Sequence, residues 1–290
     1  MSVRVAQGIE NTFETKYFSL EKMQYGICSL SLVPCRKEPS NTAEMVTQLL
    51  FGEQYKIIEE LDGWIKIIIS FDKYECWINI KQHTKISEAT FKLLDIQQAV
   101  LNTDLTAMIR NKITQQSFPI LMGSTLPGYI NKECKIENTN YFFEGNITTA
   151  ATKKNAEHIL KTANLFLNAP YLWGGKTFFG LDCSGFTQMV FKLNGYKLPR
   201  DAWQQAETGH PLSFVEEAQP GDLAFFDNEE GKIVHVGIVL ENSPPQEGGG
   251  GGHIIHASGY VRIDKFDHYG IFHSENKKYS HTLRVIKRVI

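Results

Sequence analysis

One cysteine and two histidines offer the residue types that nucleophilic catalysis at a carbonyl group requires. Cys183 lies between glycines in the segment from Gly180 to Phe186, and His235 and His256 lie in two later apolar segments. A reactive thiol needs an imidazole that carries protons and a polar group that orients the imidazole. The three side chains therefore indicate acyl-transfer chemistry. For each residue alone, the commoner use is a buried cysteine or a core histidine.

The pattern around Cys183 predicts a turn followed by a helix. Glycines flank the polar Asp-Cys-Ser core, and the residues from Phe186 to Leu193 space their apolar side chains for an amphipathic helix. Cys183 would begin this helix, where the helix dipole favours an anion. We therefore expect the pKa of the thiol to be lowered from its ordinary value.

The elements around this helix predict an α+β fold for residues 148–290. Residues 151–167 carry one apolar helical face, and Pro170 ends that helix. Strands are predicted at residues 220–226, 234–240, 254–258 and 283–290, so a helix layer would pack on an antiparallel sheet. His235 and His256 would then lie in neighbouring strands. Glycines from Gly248 to Gly252 predict a flexible loop between those strands, most simply a tolerated surface insertion.

The first half of the chain is predicted to form small β units. Short β-rich stretches at residues 30–33, 53–59, 64–69 and 76–80 are typical of a barrel of SH3-like size. A second barrel of this kind is an option for later residues, with strands at 118–121 and 128–130 after a short helix within 86–101. The predicted organisation is a lead segment (1–22), SH3-like domain 1 (23–86), SH3-like domain 2 (87–147) and a C-terminal domain (148–290).

Composition limits the classes of partner and site. The net charge of −2 gives no reason to expect nucleic acid or anionic lipid as a partner. No apolar run approaches the ~20 residues that span a bilayer. The first residues do not resemble a secretory signal, so we expect a cytoplasmic protein, or a periplasmic one if a leader has been removed. The five cysteines are scattered and lack the spacing of a disulfide framework or a zinc site.

Six blocks of the C-terminal half resemble the NlpC-type cysteine peptidases, which are papain-like enzymes that cut peptidoglycan peptides. The blocks occur in the family's order and cover about residues 150–290. They are Tyr171-Leu172-Trp173-Gly174-Gly175, Asp182-Cys183-Ser184-Gly185-Phe186, Leu198-Pro199-Arg200-Asp201, Gln219-Pro220-Gly221-Asp222-Leu223-Ala224-Phe225-Phe226, His235-Val236-Gly237-Ile238 and Ile255-His256-Ala257.

The first half also resembles the tandem bacterial SH3-like domains of dipeptidyl-peptidase members of that family. The matching pieces are residues 33–39, 44–53 and 72–78. This similarity implies a γ-D-glutamyl-L-diamino-acid endopeptidase that cuts murein peptides with a free N-terminal L-alanine. It implies no metal and no cofactor. The alternatives are a non-catalytic peptidoglycan-binding protein and an acyl transferase on the same fold.

The resemblance also implies roles for individual residues. Cys183 would be the nucleophile, His235 the general base and acid, and His256 the residue that orients His235. The hydroxyl of Tyr171 would help to bind the oxyanion, unless Tyr171 only packs. Substrate-binding roles are implied for Asp182, Ser184 and Arg200 of the C-terminal domain and for Glu44 and Tyr74 of the first barrel. The two barrel residues would close the pocket around the substrate amine.

The chain departs from the family pattern at three places. The interval from His235 to His256 is longer than usual, and the glycine-containing loop accounts for the excess. Ala202 stands where relatives often carry a serine that contacts the substrate, and Cys76 replaces a glycine common before the barrel tryptophan.

Overall fold

The computed structural model describes residues 24–243, 251–274 and 276–290. The predicted lead segment lies outside these residues, as do positions 244–250 of the predicted glycine loop. Gly251 and Gly252 are described, and they belong to a strand rather than to a loop.

The first unit is a seven-stranded antiparallel sheet. Alternating side chains such as Ile65, Ile67 and Ile69 are buried in its core. Cys76 lies in the same core, where it serves as a small apolar residue. The strand order is β3-β2-β6-β5-β4-β1-β7, with β1 at Gln24–Ile27, β2 at Leu32–Arg36, β3 at Met45–Leu50, β4 at Gln54–Leu61, β5 at Trp64–Ile69, β6 at Glu75–Asn79 and β7 at Thr84–Ile86.

The second unit begins with a capped helix, α1 (Glu88–Ile96), in which the Ser87 hydroxyl accepts from the Thr90 amide. The strand predicted at residues 128–130 is wrong, because the chain turns there with positive φ at Gly128, Asn131 and Lys132. The sheet order is β10-β9-β12-β11 with a separate β13-β8 pair; the strands are β8 Val100–Asn102, β9 Thr106–Asn111, β10 Ser117–Leu121, β11 Glu133–Ile136, β12 Thr139–Phe143 and β13 Ile147–Thr149.

The third unit packs helices against a sheet that closes on itself. Strand β22 pairs with both β17 and β21, so the six strands from β17 to β22 form a closed ring. The elements are α2 Ala156–Asn164, β14 Lys176–Thr177, β15 Gly180–Leu181, α3 Cys183–Leu193, α4 Ala202–Gln205, β16 His210–Pro211, β17 Leu223–Asp227, β18 Ile233–Ser243, β19 Gly251–Ser258, β20 Tyr260–Asp267, β21 Gly270–His273 and β22 Lys278–Arg288.

The helix predicted at Cys183 is present over the predicted residues, and its apolar side chains pack against the sheet. Phe186, Met189 and Val190 share a core with Val236 and Ile238 of β18. Helix α2 is shorter than predicted because Asn155 caps it, with its side chain accepting from the His158 amide. None of the helices in the described residues is long and apolar enough to cross a membrane.

A buried ion triad joins the three units. Glu53 of the first unit accepts from Lys176 at 3.0 Å and from Lys192 at 2.7 Å, both in the third unit. Lys192 also donates to the Gly123 carbonyl of the second unit at 2.9 Å. Burial raises the pKa of Glu53, but the two lysine charges outweigh it and lower the pKa to about 2. The carboxylate is therefore charged and fixes the three units against one another.

The first unit also contacts the loop that precedes Cys183. Gly174 has a φ of +74°, and a Cβ there would lie 2.1 Å from the Met45 carbonyl oxygen. Only glycine permits this approach of two backbones. It places the first barrel directly against the loop that leads to the candidate nucleophile.

Candidate active site

A cleft of about 640 Å³ lies between the first unit and the third unit. The thiol of Cys183 lines it together with side chains from both units. The lining from the first unit is Lys37, Glu44, Val46, Tyr74 and Glu75, and that from the third unit is Trp173, Asp182, Cys183, Ser184, Asp201, Ala202, Trp203, Ile233 and Val234.

Cys183 is the first residue of α3, and Asp182 caps the helix by accepting from the Gly185 amide at 2.7 Å. The Sγ atom lies 4.0 Å from the carbonyl oxygen of Val234, the residue before His235. Burial, followed by the charge of Asp182, raises the pKa of the thiol to about 12. The expected lowering is therefore wrong. Burial at the junction of two units outweighs the helix dipole.

The two histidines form a hydrogen-bonded chain that ends on a carboxylate. His235 Nε2 lies 2.8 Å from His256 Nδ1, and His256 Nε2 lies 3.0 Å from Asp264 Oδ2. Arg262 donates to Asp264 Oδ1 at 2.8 Å. Burial raises the pKa of Asp264, but the hydrogen bonds from His256 and Arg262 lower it overall, to about 2. Asp264 is therefore ionised and can only accept hydrogen bonds.

The ionised carboxylate fixes the tautomer of both imidazoles. His256 must donate from Nε2 to Asp264, so its Nδ1 accepts the proton of His235 Nε2. Burial lowers the pKa of His235 well below its ordinary value, and the charges of His256 and His281 lower it further. His235 is thus neutral, with Nδ1 unprotonated and able to take a proton.

Replacement of Asp264 with asparagine is expected to lower kcat by at least about 100-fold, because the amide can present a donor to His256 and reverse both tautomers. Steady-state kinetics on a peptide substrate measures the effect. Asp267→Asn is the matched control, since Asp267 follows on the same strand and bonds Tyr279. A wild-type kcat for Asp264→Asn would show that the carboxylate does not set the tautomer.

Arg200 is buried, and it uses all five of its N–H donors within the protein. It forms a bidentate pair with Asp182, with its Nη1 and Nη2 atoms 3.0 and 2.7 Å from the carboxylate oxygens. Its other donors bond Ser184, Thr47 of the first unit and the Gly175 carbonyl. The structure therefore corrects the expected direct contact of Arg200 with substrate. The guanidinium instead holds Asp182 and Ser184, which do line the cleft.

Glu44 and Tyr74 reach the cleft from the first unit, as the sequence predicts for a shared pocket. Glu44 accepts from Trp173 Nε1 at 2.6 Å and from Lys37 at 3.2 Å. The bond from Trp173, followed by that from Lys37, lowers the pKa of the carboxyl. The Tyr74 hydroxyl donates to Asp201 at 3.3 Å. Glu44, paired with Lys37, thus brings a carboxylate to the cleft from the first unit, and Asp201 brings one from the third unit.

Tyr171 forms a backbone bridge with Leu181, two residues before Cys183. Burial, followed by the smaller effects of Cys183 and Asp182, raises the pKa of the Tyr171 hydroxyl to about 12. Tyr171 therefore keeps its proton and remains a hydrogen-bond donor. This property is what an oxyanion-binding role requires.

The comparisons with known proteins agree with this geometry. The gamma-D-glutamyl-L-lysine dipeptidyl-peptidase of Bacillus subtilis (strain 168) is 30% identical over 257 residues, which cover 82% of this chain and 78% of that protein. The chain belongs to the NlpC/P60 family. The NlpC/P60 model matches residues 168–282, and the bacterial dipeptidyl-peptidase Sh3 domain matches residues 35–82.

Two further proteins, one compared by sequence and one by structure, match most of the chain. The gamma-D-glutamyl-L-lysine dipeptidyl-peptidase of Bacillus cereus is 27% identical and covers 75% of this chain and 68% of its own length. A crystal structure of an NlpC/P60 family protein from Bacillus cereus has a TM-score of 0.73 at 20% identity, covering 91% of this chain and 99% of that one. This structural likeness shows a shared fold.

Two residues near this site, Asp264 and His281, are not predicted from the sequence. They lie in β20 and β22, between the last quoted motif and the chain end. One signal for Asp264 was available. Arg262, Asp264 and Phe266 alternate along residues 260–267, which places a charged pair on the same strand face as a buried aromatic residue.

Proposed function

We propose that this NlpC/P60 protein is a cysteine peptidase that hydrolyses the γ-D-glutamyl–L-diamino-acid bond of murein peptides with a free N-terminal L-alanine. The observation that carries the proposal is the cleft, in which Cys183 and Val234 face a wall from the first barrel. Val234 directly precedes His235, which begins the hydrogen-bonded chain to His256 and Asp264. A papain-like arrangement of α3 on the sheet, and an SH3-like nature of the second unit, belong to the same proposal.

The first half of the reaction would acylate Cys183. With a raised thiol pKa and a neutral His235, the resting pair is a thiol and an imidazole. His235 Nδ1 takes the thiol proton as sulfur attacks the γ-carbonyl carbon of D-glutamate. The oxyanion is held by the Cys183 amide and the Tyr171 hydroxyl. His256 and Asp264 stabilise the imidazolium that forms.

The second half would release both products. The tetrahedral intermediate collapses when His235 protonates the amine of the diamino acid, and this breaks the C–N bond and leaves a thioester on Cys183. A water molecule then gives a proton to His235 and attacks the thioester. Protonation of the departing sulfur by His235 restores the thiol and frees L-alanyl-γ-D-glutamate.

The substrate amine would be bound at the wall between the two units. Glu44 and the Tyr74–Asp201 pair supply negative charge there, and a carboxylate beside an ammonium group makes a charge-assisted hydrogen bond. Asp182 and Ser184 form the opposite side, fixed by Arg200. An acyl group on the amine would remove its charge and meet the barrel wall. Such a pocket fits turnover fragments, and we propose a cytoplasmic location for this activity.

The proposal is tested by incubating the protein with L-Ala-γ-D-Glu-L-Lys and with the diaminopimelate analogue. Release of L-Ala-γ-D-Glu is followed by mass spectrometry. Wild type should release the dipeptide, and Cys183→Ala should not. Binding to sacculi without cleavage would instead favour the hypothesis of a non-catalytic peptidoglycan-binding protein. Transfer of the dipeptide to added amines in place of water would favour an acyl transferase.

Replacement of Glu44 with glutamine is expected to raise KM for free-amine peptides by roughly 10-fold, the size of one charge-assisted hydrogen bond. The kcat value should change less, because Glu44 does not touch the reacting atoms. Glu60→Gln, at an exposed position near the end of strand β4, is the control. An unchanged KM would remove Glu44 from the pocket without affecting the assignment of Cys183.

A further inference from the structure

A third histidine lies against the two histidines of the site. The imidazole of His281 stacks on His235 with 4.1 Å between ring centroids and 25° between ring planes. It meets His256 edge-on, at 5.8 Å and 83°. His281 lies in β22 and His235 in β18, and both strands pair with β17. Because β17 lies between β18 and β22, the imidazoles of His235 and His281 come together although they are far apart in sequence.

The stack limits the movement of His235. The ring of Phe226 in β17 packs beside both imidazoles. Its centroid lies 5.8 Å from that of His235 and 6.1 Å from that of His281. Rotation of the His235 ring would take Nε2 away from its bond with His256 and would also move Nδ1, the nitrogen left free to accept a proton. A stacked ring resists this rotation because the imidazole would have to push it aside. The His281 ring also fills space that a water molecule would need in order to replace His256 as the hydrogen-bond partner of His235.

The contacts described between His281 and the other two histidines are ring contacts rather than hydrogen bonds. The Nδ1 atom of His281 lies 2.9 Å from the Ser280 hydroxyl. Burial, followed by the effect of His256, lowers the pKa of His281 to about 4. The ring is therefore neutral near pH 7 and presents a flat surface to His235.

We propose that His281 is a positioning residue, which holds the plane of the His235 imidazole by stacking and keeps water from the His235–His256 hydrogen bond. The inference rests on the proposed function in one respect, namely that His235 is the base. In this role the flat shape of the His281 ring positions His235, and the two nitrogens of His281 are not required.

Three substitutions separate shape from chemistry. His281→Phe keeps a flat ring and removes both nitrogens, and it should retain most of kcat. His281→Leu fills the volume without a ring plane and should lower kcat by roughly 10- to 100-fold with little change in KM, as expected for a misplaced catalytic group. His281→Ala should lose at least as much as His281→Leu. His268→Ala, at an exposed position in the turn after β20, is the control.

The ¹⁵N spectrum of the His235 imidazole provides a readout that does not depend on turnover. A single tautomer protonated at Nε2 is expected in wild type and His281→Phe, and a mixture in His281→Leu. Tm values confirm that each variant is folded. Wild-type kcat with an unchanged spectrum in His281→Leu would overturn the proposal, as would a His281→Phe protein as impaired as His281→Leu. If wild type cleaves no peptide, the proposed function fails, and the spectra still decide the positioning role.

Discussion

Replacement of Cys183 with alanine is expected to lower the rate of peptide hydrolysis by about 10⁶-fold, to the background of the assay. The reason is that Cys183 carries the only thiol among the described side chains that line the cleft, and its sulfur lies beside the carbonyl of Val234, the residue before His235. Loss of release of L-Ala-γ-D-Glu, measured by mass spectrometry at enzyme concentrations well above the wild-type assay, checks the prediction.

The matched control is Cys134→Ala. Burial raises the pKa of Cys134 to about 12, as it does for Cys183, but Cys134 lies in the core of the second unit. It should therefore keep wild-type kcat. Equal activity of the Cys183→Ala and Cys134→Ala proteins would exclude the thiol of Cys183 from the chemistry.

Replacement of Glu53 with glutamine is expected to destabilise the protein by about 3–5 kcal/mol, because it leaves Lys176 and Lys192 buried without their carboxylate. In a protein of this size this corresponds to a fall in Tm of about 10 °C. Activity should fall as well, since Glu53 holds the first barrel beside the cleft. Calorimetry and peptide cleavage measure the two effects.

Two further variants test whether the buried charges of the Glu53 triad are the cause of the lost stability. Glu157→Gln removes the partner of exposed Lys161 and should leave Tm unchanged. The triple replacement Glu53→Leu, Lys176→Met, Lys192→Met removes all three charges, and it should recover much of the lost stability. A Glu53→Gln protein with wild-type Tm would show that the buried triad does not hold the units together.

Much of the catalytic framework could be predicted from the sequence because local patterns encode it. The helix from Cys183 to Leu193 follows from apolar spacing after a glycine turn, and the strand around His235 follows from alternation. The thiol pKa was predicted wrongly for a physical reason. The dipole of α3 is a local property, whereas the burial that raises the pKa comes from other parts of the fold.

The residues that the sequence did not reveal depend on contacts between distant segments. Arg200 faces Asp182 and Thr47 rather than the cleft, which only the packing of the first barrel determines. The triad pairs Glu53 with two lysines, Lys176 and Lys192, that each lie more than 100 positions away from it in the sequence. His281 reaches His235 only because β22 closes the sheet beside β17. The spacing of residues along one segment does not encode such contacts.

The most direct measurement is the side-by-side cleavage of L-Ala-γ-D-Glu-L-Lys and its N-acetylated form by wild type and Cys183→Ala. We expect wild type to release L-Ala-γ-D-Glu and free lysine from the first peptide, with kcat/KM at least about 100-fold higher than for the acetylated one. Cys183→Ala should release neither product. Absence of cleavage by wild type, or equal cleavage by both proteins, would contradict the account.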